Sequence, residues 1–157
     1  MASIQLAFYR NSKSTFGKLI RLQQRVQGIP GRSSMYSHVE IVFEDGYWFS
    51  SSEQDKGVRK KKIVDNKNNW DYLRVPLTDE QEELVRDWCE SQIANRYNWW
   101  GIFFCQVLKT MWFIKPHDYF CSQYCAKALQ RVSILCGVDA ITINPGRLRE
   151  EVLTILK

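Results

Sequence analysis

The stretch YSHVEIVFEDGYWFSSSE, Tyr36 to Glu53, constrains this chain more than any other. Two runs rich in β-branched and aromatic residues flank Asp45-Gly46, a strong short-range signal for a β-hairpin. With Asp45 and Gly46 as the two central turn residues, Glu44 faces Tyr47. Counting back along both strands, His38 then faces Glu53, and directly opposed Cβ atoms lie about 4.5–5.5 Å apart. Glu40 is two residues from His38 on one strand and shares its face. One imidazole is thus expected beside two carboxylates, with the register as the deciding variable, since a slip of one residue turns a side chain to the other face.

The rest of the chain supplies partners for that hairpin. Ile4 to Tyr9, Gly57 to Val64 and Tyr72 to Val75 read as further strands. Ser14 to Val26 has helical periodicity, with Phe16, Leu19, Ile20 and Val26 near one face, and Gly28, Pro30 and Gly31 end it. Thr78-Asp79-Glu80-Gln81 matches a capping box. It opens a helix to about Asn95 with Leu84, Val85, Trp88 and Ile93 on one side. Tyr119 or Phe120 begins another helix, striped by Cys121, Tyr124, Cys125, Ala128, Leu129 and Val132, with Gly137 as its stop. Asn144-Pro145-Gly146 reads as a turn before a short C-terminal helix carrying Leu148, Val152 and Ile155. Meandering strands mixed with helices give an α+β class. The 157 residues suffice for a single domain, residues 1–157, with a real core.

Net charge is +5, which leaves nucleic acid or an anionic membrane surface open as partners. The one tight basic cluster is Arg59-Lys60-Lys61-Lys62. Such runs are mostly solvated faces, so there is no firm nucleic-acid signal. NWWGIFFCQVLKTMWFI, from Asn98 to Ile114, is the most apolar segment. Gln106, Lys109 and Thr110 interrupt it, which favours a buried helix over a membrane span and keeps peripheral membrane contact as the other reading. Met1 to Arg10 lacks a basic region followed by a long apolar one, so no signal peptide is expected. Five cysteines then read as reduced thiols in a cytoplasmic protein.

A thiol that attacks a carbonyl needs its proton removed. A helix N-terminus favours the thiolate, an imidazole can take the proton and return it to the leaving group, and a polar group fixes the imidazole. Cys121, His38 and either Glu53 or Glu40 could fill these roles. Composition and spacing alone leave Cys121 balanced between nucleophile and inert core residue. Cys89, Cys105, Cys125 and Cys136 sit in apolar contexts and read as structural. His117, Cys121 and Cys125 recur at intervals of four, but zinc patterns usually pair close cysteines twice, and no second pair exists. No metal and no cofactor are expected.

In this order, SHVEIVFEDG, SSSEQDKGVR, LTDEQEELVRDWCESQIANRYNWWG and YFCSQYCAKAL resemble the circularly permuted branch of the NlpC-type papain-like cysteine hydrolases. The resemblance covers roughly Gln5 to Leu148. It implies a papain-like fold, a small antiparallel sheet packed on helices, with Cys121 as nucleophile and His38 as general base. Its third, polar position matches Glu53 best, with Ser50 and Glu40 as alternatives. Tyr97, in RYNWWG, matches a tyrosine beside the nucleophile that helps bind the oxyanion. The backbone N–H groups opening the cysteine helix, Ser122 among them, are the more general oxyanion donors. The implied substrate is a peptide, isopeptide or other acyl compound, cleaved at an amide, ester or thioester through an acyl-enzyme. The alternatives are lipid acyl transfer or acyl hydrolysis on the same fold, and a catalytically inactive binding protein.

Overall fold

The computed structural model describes residues 2–10, 12–63, 69–98 and 119–157. The apolar segment past Asn98, with Cys105, His117 and the expected strand end at Val64, lies outside the described residues, as does the Phe16 side chain. The strands are β1 (Ala2–Arg10), β2 (Tyr36–Val42), β3 (Tyr47–Ser52), β4 (Gly57–Lys62) and β5 (Trp70–Leu77). They form one antiparallel sheet in the order β4-β3-β2-β1-β5. The helices are α1 (Thr15–Val26), α2 (Asp79–Ser91), α3 (Cys121–Gln130) and α4 (Pro145–Ile155). The fold is α+β, and no described helix is long and apolar enough to cross a membrane.

β5 runs through Pro76, where the sequence pattern stopped at Val75. It is an edge strand, and an edge tolerates a residue without a backbone donor. The hairpin forms, but with a different register from the one expected. Ile41 pairs with Phe49 and Val42 with Trp48. The Phe43 N–H donates to the Tyr47 carbonyl at 3.0 Å, closing a three-residue loop over Glu44, Asp45 and Gly46. Gly46 sits at φ 82°, in the left-handed region such a loop requires. Continued at this register, Ser52 and not Glu53 falls opposite His38.

A second irregularity lies at the other end of β2. Tyr9 pairs with His38 but Arg10 with Tyr36, so Ser37 is the extra residue of a β-bulge. The bulge explains how Tyr36, Val39 and Ile41 can all join the core although Tyr36 and Val39 are three apart. His38 and Glu40 alternate with Val39 and Ile41 and project from the opposite face.

The core gathers Ile4, Leu6 and Phe8 of β1, Val85 and Cys89 of α2, Tyr124, Cys125 and Leu129 of α3, and Leu148 and Val152 of α4. The capping box of α2 is present in both directions: the Gln81 N–H donates to Thr78 Oγ1, and the Thr78 N–H to Gln81 Oε1. Two helix faces differ from expectation. In α1, Ile20 and Gln24 turn inward while Leu19 and Val26 are exposed; in α2, Val85 and Cys89 turn inward while Leu84 is exposed, as is Ile93 beyond its end. Both helices carry apolar residues on more than one side, so periodicity alone could not choose the buried face. α3 starts at Cys121 and ends at Gln130, before the expected stop at Gly137. Asn144 caps α4 by accepting from the Arg147 N–H, which places Pro145 and Gly146 inside its first turn.

Candidate active site

Cys121 is the first residue of α3. Its cap, Phe120, has no side chain able to accept a hydrogen bond, so no cap side chain occupies the N–H groups of the first turn. α3 packs against β2, and one turn on, Cys125 Sγ donates to the Val39 carbonyl at 3.7 Å. This seats the helix start beside His38, which stands within hydrogen-bonding reach of Cys121. Cys121 is 2% exposed.

His38 Nε2 lies 3.1 Å from Glu40 Oε1. Glu40 is 2% exposed, an unusual place for a carboxylate. It is held from a third strand. Arg59 Nη1 donates to Glu40 Oε2 and Nη2 to Oε1, both at 2.7 Å, a bidentate clamp. Ser50, which pairs with Arg59 across β3–β4, is small and lets the guanidinium pass over β3. Arg59 Nε binds Asp55 at 3.0 Å, and Lys61 also reaches Asp55. A chain of hydrogen bonds thus runs from His38 through Glu40 and Arg59 to Asp55, with Cys121 within reach of its head.

Burial pulls the His38 imidazole down, the largest single influence. Its charge interaction and hydrogen bond with Cys121, and those with Glu40, outweigh burial and push it up to about 10. Burial would raise the Glu40 carboxyl, but His38 and Arg59 hold it below the usual carboxylate range. Burial pushes Cys89 up to about 12 and Cys125 well above an ordinary thiol. Cys136, expected in an apolar context, is exposed.

Glu53 lines the cleft but acts on Tyr97, not as the hydrogen-bond partner of His38. The one-residue difference in hairpin register accounts for this. Ser50 Oγ donates to the Val39 carbonyl at 2.8 Å and is occupied by the backbone. Ser122 Oγ likewise donates to the Ile143 carbonyl at 2.7 Å, leaving only its N–H for a ligand. Tyr97 is buried. Burial first, then the charges of Cys121 and Glu53, raise its phenol well above the ordinary value. Its segment is pinned on two sides: Tyr97 N–H donates to the Lys56 carbonyl, and Asn98 N–H to the Tyr119 carbonyl. Gly57 permits that docking, because a Cβ there would meet the Asn95 carbonyl oxygen at 2.2 Å.

Beside these residues lies a cleft of about 660 Å³, lined by His38, Glu40, Arg59, Glu53, Tyr97 and Trp70 among others. Ser37, the bulged residue, also lines it, and its buried Oγ has no hydrogen-bond partner among the described residues. Sequence reasoning missed two members of the site. Arg59 was read as part of a basic surface run, whereas it points to Glu40, and Lys60 and Lys61 pair with Glu90 and Asp55. Ser37 carries no local signal at all, because a bulge becomes visible only once β1 is paired.

Comparison with protein-family models, with curated proteins and with solved structures gives no match. The geometry of the site therefore carries the functional argument.

Proposed function

We propose that this chain is a papain-like cysteine hydrolase that cleaves an amide, isopeptide, ester or thioester through an acyl-enzyme on Cys121. The single observation that carries the reading is the arrangement at the helix start: a thiol at the first position of α3, within hydrogen-bonding reach of His38, which is bonded to buried Glu40.

The chemistry follows from where the proton rests. In the reacting form the thiol proton has passed to His38, whose ring favours the protonated state because Cys121 and Glu40 stand beside it. The sulfur attacks the substrate carbonyl and forms the C–S bond. The oxyanion that develops is met by the free N–H groups of the first α3 turn. His38 then gives its proton to the leaving amine or alcohol as the old bond breaks, leaving a thioester and neutral His38. Water, deprotonated by His38, attacks the thioester and expels the sulfur, restoring the starting pair and releasing the acid. Glu40 holds the ring in register for both proton transfers, and Arg59 holds Glu40.

The test is intact-mass spectrometry after incubation with an activated ester such as p-nitrophenyl acetate. One acetyl group on Cys121 is the expected result, absent in Cys121→Ser and slowed about 10²–10⁴-fold in His38→Ala. Acetylation spread over lysines with Cys121 unmodified would refute the reading.

A further inference from the structure

The charge of this chain is not spread evenly. Residues 1–39 contain six cations, Arg10, Lys13, Lys18, Arg21, Arg25 and Arg32, and no aspartate or glutamate. The whole chain carries a net +5, so this stretch alone accounts for the excess. α1 lies in its middle. Its inner face is set by Gly17, Ile20 and Gln24, where the Gln24 side chain donates to the Tyr36 carbonyl and accepts from the Gly146 N–H. Its outer face carries Leu19, Leu22 and Val26, at the i, i+3 and i+7 spacing that puts them on one stripe. Leu22 is 59% and Val26 81% exposed. Lys18 and Arg25, seven residues apart, run along one edge of the stripe, and among the described residues neither has a carboxylate within ion-pair distance.

A stripe of exposed aliphatic side chains bordered by unpaired cations is the pattern of a helix that lies in a lipid interface. Neither half suffices. Exposed leucines alone would suit any apolar partner, and cations alone any anion. Together they fit a surface that is apolar just beneath a negatively charged layer.

We infer that α1 is a docking helix that seats this protein on an anionic lipid bilayer through Leu19, Leu22 and Val26, with Lys18 and Arg25 on the headgroups. The seating would matter for the site, since Ser12, Lys13, Ser14 and Gly17 line the cleft that also holds His38. A seated α1 brings the cleft mouth to the headgroup level. Only that last consequence rests on the proposed hydrolase activity; the docking itself does not.

Vesicle flotation tests the docking with Cys121→Ser protein, so that no turnover of lipid enters the result and its failure stays separate from failure of the catalytic reading. Vesicles of phosphatidylcholine with phosphatidylglycerol are expected to carry the protein, and vesicles of phosphatidylcholine alone are not. Each cation at an anionic surface is worth roughly fivefold in affinity, so Lys18→Gln with Arg25→Gln lowers binding about 25-fold. Leu22→Asp removes binding at physiological salt while circular dichroism stays unchanged, because the position is exposed. Equal flotation with both lipid mixtures, or none with either, overturns the proposal. So does flotation indifferent to these variants. If light scattering finds a dimer that Leu22→Asp dissociates, with no flotation by the parent protein, the occupant is a second copy and the bilayer reading is wrong.

Discussion

Glu40 and Leu22 mark two regions that treat their side chains in opposite ways. Around Glu40 a carboxylate is buried, clamped by Arg59 and bonded to His38. On α1 an apolar stripe faces out beside Lys18 and Arg25, which have no carboxylate within ion-pair distance among the described residues. Stability asks for neither arrangement. A buried ion pair is commonly matched or bettered by apolar residues of similar volume, and Leu22 would gain by burial what it forgoes at the surface. The difference teaches where each region's partner is. The charges around Glu40 are paired inside the molecule and fix a geometry, whereas the α1 stripe stays exposed, as the proposed docking requires.

That contrast can be broken most forcefully at Glu40. Glu40→Ala leaves the two Nη groups of Arg59, a side chain only 13% exposed, without their carboxylate and keeps only the Nε bond to Asp55. It should cost about 3–5 kcal/mol in a urea titration, the usual cost of removing one member of a buried pair. Loss of under about 1 kcal/mol would mean that the clamp is not built as described.

A pH series sharpens the same point. The folded state raises the His38 value from 6.5 to about 10. The stability that protonated His38 contributes is therefore complete below about pH 6.5 and fades as pH rises towards 10. The gap in urea midpoint between wild type and His38→Asn should shrink across that window. A gap that grows instead would place the proton elsewhere.

Smaller effects calibrate the comparison. Thr78→Ala removes one half of the capping box and should cost about 1 kcal/mol. Leu22→Ala, far from the cleft on the exposed stripe, should move stability by less than about 0.5 kcal/mol. A large loss there would show that α1's outer face supports the fold after all.

What could be read from the sequence divides by range. The hairpin at Asp45-Gly46 and the cap at Thr78 rest on signals a few residues long, and both stand in the structure; the helix expected from Tyr119 or Phe120 starts one or two residues later, at Cys121. The hairpin register did not follow, because Asp45-Gly46 is compatible with a two-residue and a three-residue loop, and one residue decides whether Glu53 or Ser52 is opposite His38. The choice of Glu40 as the bonded carboxylate depends on Arg59, which is 19 residues away and two strands over. The position of β1 between β2 and β5 is likewise a matter of long-range pairing. On α1, periodicity announced an amphipathic helix, but with apolar residues on both sides it could not say that Leu19 and Val26 face outward.

The central claim is that Cys121 and His38 form an assembled nucleophile, and limiting iodoacetamide measures it directly. Exposed Cys136 is the internal control for an ordinary accessible thiol. Across about pH 5 to 9, peptide mass spectrometry should find Cys121 alkylated first, well below the free-thiol value of about 8.5, and this lead should vanish in His38→Ala. If Cys136 reacts first at every pH and His38→Ala changes nothing, the thiol at the head of α3 is a core residue and the account fails.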